Sequence, residues 1–353
     1  GLHFWLVPVH SIAPSPVSAI LSGWVVKLGF ITYLKLMPGG NTLLLYLGIL
    51  MIFYGGIKAL LASDYKVLLA FSSISQLGYI AVGIGGGTVL GYTGAIFHII
   101  AHGLAKTTLF SGSGYWIKEF ATRSIYRFKS VQRQRVNFYA TIISLLSLMG
   151  VPLFLGYSSK YLLKHGFEGQ KIFILLFHVA GVLTVMYGLR FIKWGLVGRG
   201  KRQEAESSYS PVGFEKIAFI LPAFLLVGGG VLTQLYPDLF GRHIHSFHLA
   251  NGLITSTVYF LLATIILSGL DWIKAAEKSP PSLDKYLRRT YEIFYAISSR
   301  SREFDTDLFF ESFLYGKIYN LSRSLYNIVF TGFQNQLLWI PLFLLLLLLW
   351  NTI

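Results

Sequence analysis

Apolar runs long enough to cross a bilayer recur along this chain, separated by polar or glycine-rich punctuation. About 20 residues at 1.5 Å rise span a hydrocarbon core. Such runs occupy residues 16–36, 42–62, 67–85, 92–117, 171–193, 214–236, 252–272 and 336–350. Residues 1–9 read as the last turns of another helix. A further helix starts near 137, is interrupted at Gly150-Val151-Pro152, and resumes through Gly156-Tyr157-Ser158-Ser159-Lys160. Proline removes a backbone donor and glycine loosens a turn, so residues 150–158 are expected to be non-helical. Ala13-Pro14-Ser15-Pro16 sets a second break ahead of the 16–36 run. Non-helical backbone at membrane depth is tolerated only where protein or a water-filled cavity surrounds it. Pro14, Pro16, Gly150, Pro152 and Gly156 are therefore the expected broken-helix residues. The fold class is an all-α polytopic membrane protein of about ten transmembrane helices or half-helices, two of them broken.

Residues 273–335 depart from this pattern, with nine Lys/Arg and seven Asp/Glu. Leu283, Leu287, Tyr291, Phe294 and Ile297 nevertheless recur at helical spacing, as do Phe310, Phe313, Leu314, Ile318, Leu321, Leu325 and Ile328. Amphipathic lateral helices at the membrane surface are expected here, the second over 308–330, or else a small cytosolic helical hairpin. The expected organisation is a transmembrane bundle over 1–272, lateral helices over 273–335 and a C-terminal transmembrane helix over 336–353.

Charge sets the orientation. Lys118, Arg123, Arg127, Lys129, Arg133 and Arg135 face a single acid, Glu119, between two spans. Basic loops stay in the cytoplasm, which places 118–136 there. Alternation then puts 194–213 and 273–335 on the same side, and 194–213 is basic too. Only 13% of the 353 residues are charged, about half the share of a soluble domain. The net charge of +15 is read through topology, so no nucleic-acid partner is expected. The chain has no cysteine, which excludes disulfides, thiol catalysis and thiolate-held iron–sulfur clusters. No cofactor is expected. The first residue is Gly1 and no signal-peptide n-region precedes the apolar run, so the chain is expected to be part of a longer product or to begin after a cut.

The ionisable residues inside the spans carry the chemistry. They are Lys27, Lys58, His98, His102, Lys106, Lys160, His178 and Arg190. All fifteen carboxylates fall in loops or at helix ends. Lys27 has about ten residues on each side within its run, and a mid-membrane lysine costs roughly 2.5–3.5 kcal/mol on insertion scales. His98, His102 and Lys106 are spaced i, i+4, i+8 on one helix face. Imidazole pairs can bind a metal, but Lys106 repels a cation and no acid lies nearby. A proton relay suits the set, since imidazole titrates near neutral pH and burial brings lysine toward that range. Simple interhelical hydrogen bonding of both histidines is the competing reading. With Lys160 beyond the second break, Lys27, His98, His102, Lys106 and Lys160 form a lateral line of protonatable groups. Lys66 is expected to pair with Asp64, Arg190 and Lys193 to snorkel at the inner face, and His178 to be a core histidine.

These residues resemble a known family: the proton-conducting antiporter-like subunits shared by respiratory complex I, Mrp-type sodium/proton antiporters and membrane-bound hydrogenases. The likeness is carried by Gly1-Leu2-His3-Phe4-Trp5-Leu6 with Ala13-Pro14-Ser15-Pro16 and Lys27-Leu28-Gly29. It continues through Asp64-Tyr65-Lys66 with Ser72-Ser73-Ile74-Ser75-Gln76, His98, and His102-Gly103-Leu104-Ala105-Lys106. Gly150-Val151-Pro152 and Gly156-Tyr157-Ser158-Ser159-Lys160 complete it. Val7-Pro8 stands where the family usually has Pro-Asp, and Tyr157 where Phe is common. The resemblance implies that Lys27 is the family's central lysine, that His98, His102 and Lys106 are its middle relay, and that Lys160 is its terminal lysine near the external exit. It implies a C-terminal portion, since the family has six helices before the position of Gly1. It further implies proton translocation, with or without sodium exchange, and no redox chemistry in this chain. The implied setting is an energy-transducing, prokaryotic plasma membrane, with other membrane subunits of one complex, homologous antiporter-like subunits among them, as partners. The alternatives are the membrane subunit of an inorganic-carbon uptake system and a non-transporting scaffold.

Overall fold

A computed structural model describes residues 5–37, 39–120, 122–126, 135–197, 214–236 and 249–269. The regions expected to hold the lateral helices and the last span lie outside these residues. The described chain is helical, and its one bridge between extended segments joins Asp64 to Ser124. Six stretches are long and apolar enough to cross a membrane: Ser15–Leu36, Thr42–Leu61, Tyr65–Gly85, Lys171–Leu196, Lys216–Leu235 and Ala250–Ser268. Val136–Met149 is a shorter apolar helix.

The first break separates α1 (Leu6–Ile12) from α2 (Ser15–Ile20). Ala13 and Pro14 are extended, both with ψ 146°, the conformation a following proline imposes on Ala13. Pro16 is in the first turn of α2, where its missing N–H would have been unpaired anyway. It starts the helix and does not break it. After α2 the chain widens into a π turn, Leu21–Val25, and continues as α3 (Val26–Leu36).

The second break is shorter than expected. α7 (Arg135–Met149) stops at Gly150 and α8 (Leu155–His165) already begins at Leu155. Residues 155–158 are therefore helical, a correction to the expected gap of 150–158. The turn needs only Gly150 (φ +79°) and Leu153 (φ +72°) in the left-handed region. Gly156 lies inside the first turn of α8, where any Cβ would run into the Ser147 carbonyl. It is there for close approach, and not to loosen the backbone.

α5 (Tyr65–Gly85) is the centre of the bundle, with 89% of its most apolar window buried, against 11% for α11 (Leu249–Gly269). Asp64 caps α5 by accepting from Val67 N at 3.0 Å. α4 (Thr42–Leu61) lies against α5 at backbone distance. A methyl on Gly78 would lie 2.6 Å from Gly48 O and 2.7 Å from Ile52 N. Small residues give this approach where no hydrophobic force pulls helices together in lipid. α6 (Val89–Phe120) crosses α5 and packs on α2 and α8. α9 (Lys171–Arg190) runs into a second π turn, Phe191–Leu196, and α10 (Phe214–Leu235) covers α7 and α8.

Candidate functional site

The polar residues of the bundle converge where α2, α3, α5, α6 and α8 meet. Lys27, His98, His102 and Lys106 are fully buried. No Asp or Glu is among the described buried residues. Each lysine is held instead by a backbone carbonyl. Lys27 Nζ donates to the Ser22 carbonyl inside the π turn. A π turn misaligns a helical carbonyl from its usual partner, which leaves this one for the ammonium. Lys106 Nζ donates to Leu69 O at 2.9 Å and to Ser72 Oγ at 2.6 Å. Lys160 Nζ donates to Leu148 O at 2.6 Å, the carbonyl just ahead of the second break. It also stands 4.8 Å over the Tyr79 ring.

Hydroxyls join the first two lysines. Ser22 Oγ and Ser73 Oγ share a hydrogen bond of 2.7 Å. Ser73 Oγ donates to Leu69 O at 3.0 Å, the carbonyl that Lys106 also uses. Lys27 and Lys106 thus flank one string of polar groups, Lys27 on the Ser22 carbonyl and Lys106 sharing the Leu69 carbonyl with Ser73, with the Ser22–Ser73 hydroxyl pair between them. A second cluster surrounds His98, whose Nδ1 bonds Ser159 Oγ at 2.9 Å and whose Nε2 bonds Gln76 Oε1 at 3.1 Å. Gln76 Nε2 donates onward to Tyr187 OH at 2.7 Å. His102 stands between the clusters. Its ring is stacked on His98 with centroids 6.2 Å apart, and neither of its nitrogens has a hydrogen-bond partner among the described residues. Lys27, Lys106, His98 and Lys160 all act electrostatically on it. Beyond Lys160 a cavity of about 90 Å³ is lined by Tyr79, Gly150, Tyr157, Lys164, Asn251 and Thr255, among others. Among the described residues, no three His, Cys, Asp or Glu side chains converge to hold a metal.

Three expectations change. Lys66 is not paired with Asp64: it is 6% exposed and donates to Ala13 O, in the first break, at 2.7 Å. Asp64 pairs with Arg123, Nε to Oδ2 at 2.8 Å. Arg190 does not snorkel: it is 7% exposed and ties Ala62 O at 2.6 Å and Tyr126 OH at 2.7 Å. His178 is only partly buried and bonds Tyr259 OH through Nδ1 at 2.6 Å. Ser73 and Gln76 enter the sequence reading only within the motif that carries the resemblance, and Ser22 has no role there, since serine and glutamine in a helix carry no distinguishing spacing. Their signal was density: four polar residues within Ser72–Gln76 of an otherwise apolar run.

Discontinuous helices packed around buried lysines and histidines, with no Asp or Glu among the described buried residues, define an all-α integral membrane protein. The chain belongs to the family described as NADH:quinone oxidoreductase/Mrp antiporter, transmembrane, which matches residues 1–184. It is similar to NADH-quinone oxidoreductase subunit M of Rickettsia prowazekii, 29% identical over 236 residues, covering 64% of this chain and 48% of that protein. The chain spans about half the length of the curated relatives it matches first. Its fold is similar to a chain of the Mrp complex of Dietzia, with TM-score 0.63 and 24% identity, covering 85% of this chain and 36% of that one. It is also similar to a chain of respiratory complex I of Thermus thermophilus, with TM-score 0.57 and 25% identity, covering 75% and 55%.

Proposed function

We propose that this chain moves protons through the membrane interior, as an antiporter-like subunit of a multisubunit complex. The observation that carries the reading is the buried polar series from Lys27 on the Ser22 carbonyl, past the Ser22–Ser73 hydroxyl pair, to Lys106 on the Leu69 carbonyl, with His102 and His98 stacked beyond it and Lys160 on the far side. Every titratable group on it is a base. A proton can step between neutral and charged bases, and charge on one lowers the proton affinity of the next. Hydrated ions such as sodium find several like charges and no carboxylate among the described buried residues, so protons are the cargo this interior favours. His102 is where water completes the route, since a buried ring with two unpaired nitrogens calls for one.

The partners proposed are other membrane subunits of the same complex, including homologous antiporter-like subunits, within a prokaryotic plasma membrane. The basic loops 118–136 and 194–213 then face the cytoplasm, with the cavity beside Lys160 on the external side. The complex, and not this chain, supplies the driving reaction.

The test is flux in proteoliposomes holding the purified complex. Lys27→Ala should abolish proton uptake at unchanged subunit composition. Lys27→Arg should not restore it, because a guanidinium does not give up its proton. Full flux in Lys27→Arg would sink the reading, and intact flux in Lys27→Ala would favour a scaffold.

A further inference from the structure

One buried titratable group stands outside the pathway described above. His10, near the end of α1, is 0% exposed. Neither ring nitrogen has a hydrogen-bond partner among the described residues. Its backbone is fixed: Ser18 Oγ donates to His10 O at 3.0 Å, bridging the first break from the far side. Its ring is fixed as well, edge-on to Phe110 of α6 with centroids 5.2 Å apart. The same Phe110 ring has Lys106 Nζ 5.9 Å from its centroid. Three residues beyond His10, the Ala13 carbonyl is held by Lys66 of α5. The charged groups acting on His10 are Lys106 of α6, Lys27 of α3 and Lys66 of α5. No acid is among them.

A histidine serving only as core filler would satisfy at least one ring nitrogen, since buried polar groups are almost always bonded. A phenylalanine or leucine would fill the same space without the desolvation penalty. This ring is instead packed on Phe110 with both nitrogens open, between a lysine at the start of α5 and the two lysines of the string.

We propose that His10 is a further relay residue, passing protons between Lys66 at the first break and the Lys106–Lys27 string. The proton taken up on one ring nitrogen leaves from the other, and the ring returns by exchanging tautomers, so no other reactant is needed. Water beside the extended Ala13–Pro14 backbone fills the steps longer than a hydrogen bond. Lys66 is thereby the group closest to the inner surface, which its position beside the Asp64–Arg123 pair suits.

This inference rests on the proton-transport reading, and Lys27→Ala separates the two. The whole complex in proteoliposomes is assayed with His10→Gln and His10→Asn, alongside Lys27→Ala. The expected result is assembly at wild-type level and proton flux reduced about tenfold in both His10 variants. Infrared difference spectra recorded on imposing a proton gradient should lose part of the imidazole signal in His10→Gln, which a purely structural role would not produce. Wild-type flux in both His10 variants, with flux abolished in Lys27→Ala, overturns the role of His10 alone. Reduced flux with an unchanged imidazole signal, or failure of both variants to assemble, makes His10 structural and overturns it equally. Wild-type flux in Lys27→Ala removes the transport reading itself.

Discussion

At the first break two extended residues, Ala13 and Pro14, separate α1 from α2, with every backbone angle in ordinary territory. At the second, the chain turns through Gly150 and Leu153, both at positive φ. Leucine in that region stores strain, of order 1–3 kcal/mol. The second break is held against this strain by Gln234 of α10. Gln234 Oε1 accepts from Leu153 N at 2.9 Å, and its Nε2 donates to Ser158 Oγ at 3.1 Å. The first break is held by single ties and no two-ended clamp among the described residues: Lys66 of α5 donates to Ala13 O, and Ser18 donates to His10 O. Yet both frees a carbonyl for a lysine, Ala13 O for Lys66 and Leu148 O for Lys160. The same chemical product is reached by a relaxed gap in one place and by a strained elbow in the other. Strain is therefore not what makes a break useful here; the freed carbonyl is.

The contrast can be broken from its rigid side first. Gly156→Ala drives a methyl into the Ser147 carbonyl next to the elbow. Overpacking of this kind costs up to about 3 kcal/mol. The melting temperature of the detergent-solubilised complex should fall by several degrees, and an unchanged value would mean α7 and α8 slide apart freely. Gln234→Leu should cost somewhat less, about 2 kcal/mol, by leaving the Leu153 N–H unpaired and the strain unopposed. Proteolysis near 150–154 is the readout, and cleavage should speed up markedly compared with the parent. Pro14→Ala is the mildest change. The backbone angles at Pro14 (φ −52°, ψ 146°) suit alanine as well, so the loss should be about 0.5 kcal/mol, through the freer unfolded chain. A large drop in stability on Pro14→Ala would make the first break as strained as the second and erase the contrast.

Much of this was legible in the residues. Apolar run length gave the spans, and Pro14 and Gly150 gave the breaks, because a missing donor or Cβ acts locally. The buried bases were visible as charges inside apolar runs. What escaped was set by tertiary contact. The π turn at Leu21–Val25 has no local signature; it is seen only once Lys27 is found on the Ser22 carbonyl. Asp64 is the near neighbour of Lys66 in sequence, yet Arg123, 59 residues away, takes that acid, a pairing only the tertiary fold decides. Gly156 looked like a loosening residue because glycine signals both freedom and closeness, and only the position of Ser147 decides between them. His10 drew no notice as a single imidazole in a short run, although its place three residues before Ala13-Pro14 was a clue.

The carbonyl anchors of the four lysines have a consequence for the choice of bases over acids. An ammonium carries three N–H donors, and on losing a proton it keeps two. The tie to Ala13 O, Ser22 O, Leu69 O or Leu148 O is one that either form of the side chain makes. A carboxylate in the same seat would switch between accepting and donating, and only its protonated form could face a carbonyl. Each lysine here is a mooring that stays tied whether the vessel is laden or empty. The cargo can come and go without the berth being rebuilt.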